Sequence, residues 1–139
     1  MDLDTYTRHI RLLGAIAILV CIGTWAVDLA ELVYHCPYCR TQRSVIGVLG
    51  LMMMLPHPGH WMSRYIGTVV GVLGLVVAAE QHFGGWKKIW AGKFSFGDQW
   101  FINPFLLAGL AMFIITAQVM LLHVVGADRG RHPDQPYPR

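Results

Sequence analysis

Apolar residues in this chain gather into long charge-free blocks instead of alternating with polar ones. Residues 12–27, 45–55, 65–79 and 105–125 contain no Asp, Glu, Lys or Arg. Extended to its polar flanks, each block reaches roughly 20 residues, the length an α-helix needs to cross about 30 Å of hydrocarbon. The pattern predicts an all-α integral membrane protein, a four-helix bundle with helices at about 10–34, 36–55, 62–82 and 104–125. The second block is too short to span alone, so its helix must begin near Cys36, which makes the connection from the first helix tight. Pro56-His57-Pro58-Gly59-His60 breaks the chain into a turn on the other side. The first block is expected to be retained and not cleaved as a signal: three more spans follow it, and Asp28, Glu31 and Tyr34 lack a small-residue cleavage pattern. From Gly126 onward Pro133, Pro136 and Pro138 lie among polar residues, and a disordered tail over 126–139 is expected.

Small residues indicate where helices meet. Gly67, Gly71, Gly74 and Ala78 recur at i, i+4, i+7 and i+11 along the third helix, and Gly47 and Gly50 lie on the second, so both can approach a neighbouring backbone closely. In the longer loop 83–103, Trp86, Trp90 and Phe94 are four residues apart with Lys87, Lys88 and Lys93 between them. That spacing predicts a short interfacial helix between the third and fourth spans, either an anchor in the headgroup region or a lid over a lipid-soluble ligand.

Composition agrees with a membrane class: of 139 residues, 55% are hydrophobic and only 14% charged. The net charge of +3 is scattered over loops and termini, with no basic stretch interleaved with aromatics, so nucleic acid is excluded as an expected partner. Four spans put both termini on one side. That side holds Arg8, Arg11, Arg64, Arg129, Arg131 and Arg139, against Arg40, Arg43, Lys87, Lys88 and Lys93 opposite. With Arg40 and Arg43 belonging to a helix mouth and the lysines to a surface helix, the positive-inside rule favours cytoplasmic termini, as expected of a multi-pass protein of a bacterial inner membrane. The turn between the first two helices then faces the oxidising compartment.

That turn carries the chemistry. Cys36-Pro37-Tyr38-Cys39 spaces two thiols so that a disulfide can close within one helical turn. Pro37 suits the first helical position, which makes Cys36 the cap and places Cys39 one turn inside. The helix N-terminus and nearby arginine charge both favour the thiolate. Positions 36, 39, 40 and 43 share one helical face, grouping both cysteines with Arg40 and Arg43. Arginine at a hydrocarbon boundary needs a partner, and Asp28, Glu31 and Glu80 are the candidates, although charges at helix ends also simply solvate the boundary. Asp28, Glu31 and His35 form a polar stripe meeting the cysteine turn. Cys21, alone among apolar residues, reads as a small hydrophobe.

The string Cys-Pro-Tyr-Cys also occurs in glutaredoxin-like proteins, but that fold needs a strand before the motif and a soluble βαβ frame, which this sequence lacks. The stretch Cys36-Pro37-Tyr38-Cys39-Arg40-Thr41-Gln42-Arg43, followed by Val45-Ile46-Gly47-Val48-Leu49-Gly50 and by Arg64-Tyr65, resembles the disulfide-bond-formation protein B family. Those are membrane oxidases that pass electrons from a periplasmic thioredoxin-like protein to quinone. The resemblance covers roughly residues 12–82 and implies a four-helix membrane bundle with ubiquinone or menaquinone as cofactor. It further implies that Cys36 exchanges with the incoming thiol, Cys39 faces the quinone and Arg43 polarises a quinone oxygen, with Arg40 beside it and His82 matching a histidine after the third helix. Full members carry a second cysteine pair between the third and fourth helices, and 83–103 has no cysteine. A partner then reacts with Cys36 directly, another membrane subunit supplies the relay, or the oxidase cycle has been lost.

The leading expectation is a protein-disulfide:quinone oxidoreductase acting through Cys36 and Cys39. A soft-metal transporter for mercury or copper(I) is the rival, since thiolates are those ions' preferred ligands. A b-type haem protein using His35, His82 or His123 would need two facing histidines. An inactive accessory subunit would keep the bundle and a structural disulfide.

Overall fold

The computed structural model describes residues 3–32, 36–95 and 103–131, and its regular structure there is entirely helical. A short α1 (Leu3–Arg8) precedes four longer helices: α2 (Ile10–Leu29), α3 (Pro37–Met54), α4 (Trp61–Trp90) and α5 (Pro104–Arg131). Of these, α2, α4 and 104–127 of α5 are long and apolar enough to cross a membrane. The 18-residue α3 is not among those three, because Arg40, Gln42 and Arg43 occupy its first two turns.

The helix ends follow local chemistry. Five residues short of the expected end, α2 stops where Glu31 adopts φ 56°, a left-handed conformation usually left to glycine. Glu31 N–H donates to Asp28 O and Leu32 N–H to Val27 O, so the last carbonyls of α2 are closed off in a Schellman arrangement. Pro37 at the first helical position starts α3, and Leu55 ends it in the extended conformation that a following proline imposes. His60 caps α4, its Nδ1 accepting from Met62 N–H.

Two further boundaries differ from the sequence expectation. The third span does not end at His82: α4 continues unbroken through Trp90, so Trp86, Lys87, Lys88 and Trp90 form its last turns and no separate interfacial helix precedes Gly92. The two lysines complement the partial negative charge at the helix C-terminus, and Gly85 lets the helix lie directly on the Phe105 ring. At 30 residues, α4 is about 45 Å long, more than the hydrocarbon thickness, so the Trp–Lys segment is an extension of the span. The expected tail is likewise helical as far as Arg131, while 132–139, 96–102 and His35 lie outside the described residues.

Packing follows the small residues. Gly67, Gly71, Gly74 and Ala78 are all buried on α4. Leu122 meets Gly67, Val119 meets Gly71, and Val45 of α3 with Ile115 of α5 meets Gly74. These contacts join α3, α4 and α5 around Val45, Leu49, Met53, Ile115, Leu121, Leu122 and Val125. Between α2 and α3 the approach is backbone to backbone: a methyl group at Gly14 would lie 2.6 Å from Gly50 O, and Cys21 fills the notch at Gly47. Outward faces carry exposed Leu12, Leu19, Leu73, Val76 and Phe113, apolar surface suited to lipid.

Near the start of α4 a second polar group ties it to α5. Arg64 Nε and Nη2 lie 3.4 and 3.3 Å from His123 Nδ1, and Thr68 Oγ1 is 2.9 Å from His123 Nε2. An arginine only donates, so Nδ1 accepts, and Nε2–H then donates to Thr68 Oγ1, which itself donates to Arg64 O at 2.7 Å.

Candidate functional site

The end of α2, the start of α3 and the Gln81 region of α4 converge on the cysteine pair. Cys36 caps α3: its extended backbone (φ −105°, ψ 113°) aims Sγ at the first free amides, and Cys39 N–H donates to it at 3.4 Å. Cys39 follows one turn on. Both cysteines are unbridged and partly buried, whereas Tyr38 between them is exposed.

The two arginines reach across to α2. Arg40 Nε donates to Asp28 Oδ2 at 2.6 Å, and Arg43 Nη1 lies 3.8 Å from the same oxygen. Arg43 also donates to Thr24 O at 2.7 Å and to Cys39 O at 3.3 Å. Each guanidinium lies 5.8 Å from the centre of the Trp25 ring. Asp28 is 0% exposed, and its Oδ1 has no hydrogen-bond partner. One buried carboxylate against two arginines leaves the cluster one positive charge in excess. Of the three acids expected as partners, Asp28 takes that role; Glu31 and Glu80 are exposed. Both guanidiniums therefore share the Asp28 carboxylate.

The residue that reaches both sulfurs is Gln81. Its Nε2 lies 3.4 Å from Cys39 Sγ and 3.6 Å from Cys36 Sγ, and its Oε1 accepts from Gln42 Nε2 at 2.7 Å. Gln42 is itself buried, 4% exposed. Sequence reasoning did not single out either glutamine. The available signal was Gln42 three residues after Cys39 at the start of an apolar helix, a polar side chain at a depth where it needs a partner.

His82, next in sequence, turns to α5. Its Nδ1 lies 2.9 Å from Phe105 O, and its ring stacks on Phe105 with centroids 4.1 Å apart. A carbonyl accepts only, so Nδ1 carries the proton and Nε2 the lone pair. Thus Cys36, Cys39, Arg40 and Arg43 come together with Asp28, Trp25 and Gln81, while His82 belongs to an adjoining aromatic group with Trp86 and Phe94. Cys21 packs on Gly47 between helices, and His123 lies at the Arg64 end. No group of three or more metal-ligating side chains occurs among the described residues.

The arrangement offers hydrogen-bond donors to two partly buried sulfurs. A capped helix N-terminus, an amide with two N–H groups and a cluster with excess positive charge surround two thiols spaced for a disulfide. No known family model, curated protein or solved structure matches the chain.

Proposed function

We propose that the protein is a membrane thiol–disulfide oxidoreductase in which Cys36 and Cys39 alternate between dithiol and disulfide, with a lipid-soluble quinone as the final acceptor. The observation that carries this reading is the pair of sulfurs at the α3 mouth, both within 3.6 Å of Gln81 Nε2 and next to the Asp28–Arg40–Arg43 cluster. Structural thiols need neither an amide donor nor adjacent positive charge; thiols that exchange electrons use both. The resemblance to the disulfide-bond-formation protein B family includes Cys36, Cys39, Arg40 and Arg43 among these residues.

On this reading α3 is a fourth span, completing a four-helix bundle with both termini cytoplasmic in a bacterial inner membrane. The cysteines face the periplasm, and a thioredoxin-like protein delivers the thiols. The exposed Tyr38 and the unbridged, half-buried Cys36 form the docking edge. With no second cysteine pair in 83–103, that partner reacts with Cys36 directly or through a relay on another membrane subunit.

A quinone, ubiquinone or menaquinone, would take up the two electrons and two protons that the dithiol releases. The residues suit such a group. Arg43 offers N–H groups beyond the two engaged on Thr24 O and Cys39 O, Trp25 provides an aromatic face, and exposed Val27, Leu29 and Leu32 provide apolar surface open to lipid. Arg43 and Arg40 hold positive charge beside that surface, Asp28 fixes both guanidiniums, and Cys39 would deliver its electrons from the Gln81 side of the α3 mouth. His82 would join only through Nε2, since its other nitrogen is bonded to Phe105 O.

The test is a single-turnover reaction. Reduced, lipid-reconstituted protein should bleach the oxidised-quinone absorbance stoichiometrically and recover a disulfide, and Cys39→Ser should abolish both. Stoichiometric mercury(II) or copper(I) binding with no quinone reduction would instead make the pair a metal site.

A further inference from the structure

The two glutamines give the pair a property that neither the cysteine motif nor the arginine cluster supplies. A primary amide is planar, with oxygen and nitrogen on opposite branches. Anchoring Gln81 Oε1 on Gln42 Nε2 at 2.7 Å therefore fixes the direction of Gln81 Nε2. That nitrogen faces both sulfurs, at 3.4 and 3.6 Å, and carries two hydrogens. Cys39 Sγ is also 4.0 Å from Gln81 Oε1, so while Cys39 keeps its proton the S–H points along the same amide.

We propose that Gln81, oriented by Gln42, is the donor that carries the negative charge of whichever sulfur leaves during exchange at Cys36–Cys39, and that it sets the pair toward a high reduction potential. This rests on reading the pair as a thiol–disulfide exchanger. An incoming thiolate attacks Cys36 Sγ; the new intermolecular disulfide forms, the Cys36–Cys39 bond breaks, and its electron pair goes to Cys39 Sγ, facing one Gln81 N–H. The substrate's second thiolate then attacks the substrate sulfur of that mixed disulfide. The substrate disulfide forms, and the electron pair goes to Cys36 Sγ, which receives the other Gln81 N–H and Cys39 N–H. The substrate loses two electrons and two protons, and the cysteine pair gains both. Gln81 touches the reacting atoms. Gln42, acting through Gln81, is a positioning residue.

An N–H donor is worth more to a thiolate than to the near-neutral sulfurs of a disulfide, so the amide stabilises the reduced pair and makes the disulfide a stronger oxidant. The same comparison predicts which variants matter. Gln81→Leu and the near-isosteric Gln81→Met lose the donor, whereas Gln42→Leu leaves the donor but frees its direction.

Equilibration of the full-length, lipid-reconstituted protein with dithiothreitol redox buffers, read by thiol trapping, tests the proposal. In Gln81→Leu and Gln81→Met the equilibrium should move about tenfold toward the disulfide, a fall of about 30 mV, and alkylation at neutral pH should slow by a similar factor. Gln42→Leu should shift it in the same direction by less. If the unsubstituted pair titrates as a disulfide but both Gln81 variants stay within twofold of it, the role of Gln81 is overturned and the exchange reading stands. If the unsubstituted pair forms no disulfide in any buffer, both fall.

Discussion

The two polar ends of α4 use similar residues to different effect. Gln81 and Arg64 are separated by about 25 Å along the helix. At the Arg64 end an arginine, a histidine and a threonine close a ring in which each donor has an acceptor: Arg64 to His123, His123 to Thr68, Thr68 to Arg64 O. Within this ring only that arginine's remaining N–H groups are left over; the neighbouring buried Ser63 Oγ is unpartnered, and the ring contains no thiol. At the Gln81 end the polar groups do not close on themselves. Asp28 Oδ1 is unpartnered, one positive charge is in excess, and an amide points at two sulfurs. The first arrangement is a clasp between two helices, and the second is the candidate site. The comparison teaches that an arginine near a membrane boundary carries no functional meaning by itself; what distinguishes the ends is whether donors converge on a group that can change charge.

Several substitutions bear on that difference. Asp28→Asn should have the largest effect, because it leaves Arg40 and Arg43 without their carboxylate. Loss of a buried ion-pair partner costs several kcal/mol; with Arg40 more than a third exposed, about 3 kcal/mol is expected, read as thermal unfolding in detergent. The same variant should speed alkylation of the cysteines, since the cluster's positive charge is no longer offset. A lost fold with unaltered thiol reactivity would reduce the Asp28 cluster to a clasp like the other.

Overpacking the dry contact is the next step down. Gly74→Leu would force a side chain into Val45 and Ile115 and should cost about 2 kcal/mol. Because Val45 lies one turn after Gln42 on α3, it should also disturb the amide pair, seen as slower alkylation. Arg64→Leu should cost only about 1 kcal/mol and leave alkylation of Cys36 and Cys39 unchanged. A change in cysteine reactivity from that distance would erase the distinction between the ends. Smallest is Glu31→Gly, which relieves a left-handed non-glycine residue at the end of α2 and should raise stability by up to about 1 kcal/mol while leaving the site intact.

Much of the fold was legible because membrane helices advertise themselves. Four apolar blocks, the Gly67–Gly71–Gly74–Ala78 stripe and Pro37 after Cys36 each dictate a feature that the structure contains. The exceptions have physical causes. Glu31 ends α2 in a conformation that sequence assigns to glycine, so the helix was expected to run five residues too far. The third helix was expected to stop at His82 with a loop over 83–103, yet Gly85 serves close packing on Phe105 and the helix passes through to Trp90. At the site, the grouping of Cys36, Cys39, Arg40 and Arg43 followed from helical periodicity within one element. Gln81 did not, because its role depends on the lateral packing of α4 against α3, about forty positions away in sequence, and no local pattern encodes that register. Asp28 lay between the two cases: it was one of three candidate acids, and the packing of α2 on α3 that brings it to Arg40 and Arg43 selects it.

The central claim is that the cysteine pair cycles against quinone in the membrane. Thiol trapping of Cys36 and Cys39 in native membranes, with and without quinone depletion, tests it most directly. The account predicts that the pair is predominantly disulfide when quinone is present and accumulates as free thiols when quinone is removed. A pair whose redox state is the same in both membranes would contradict it.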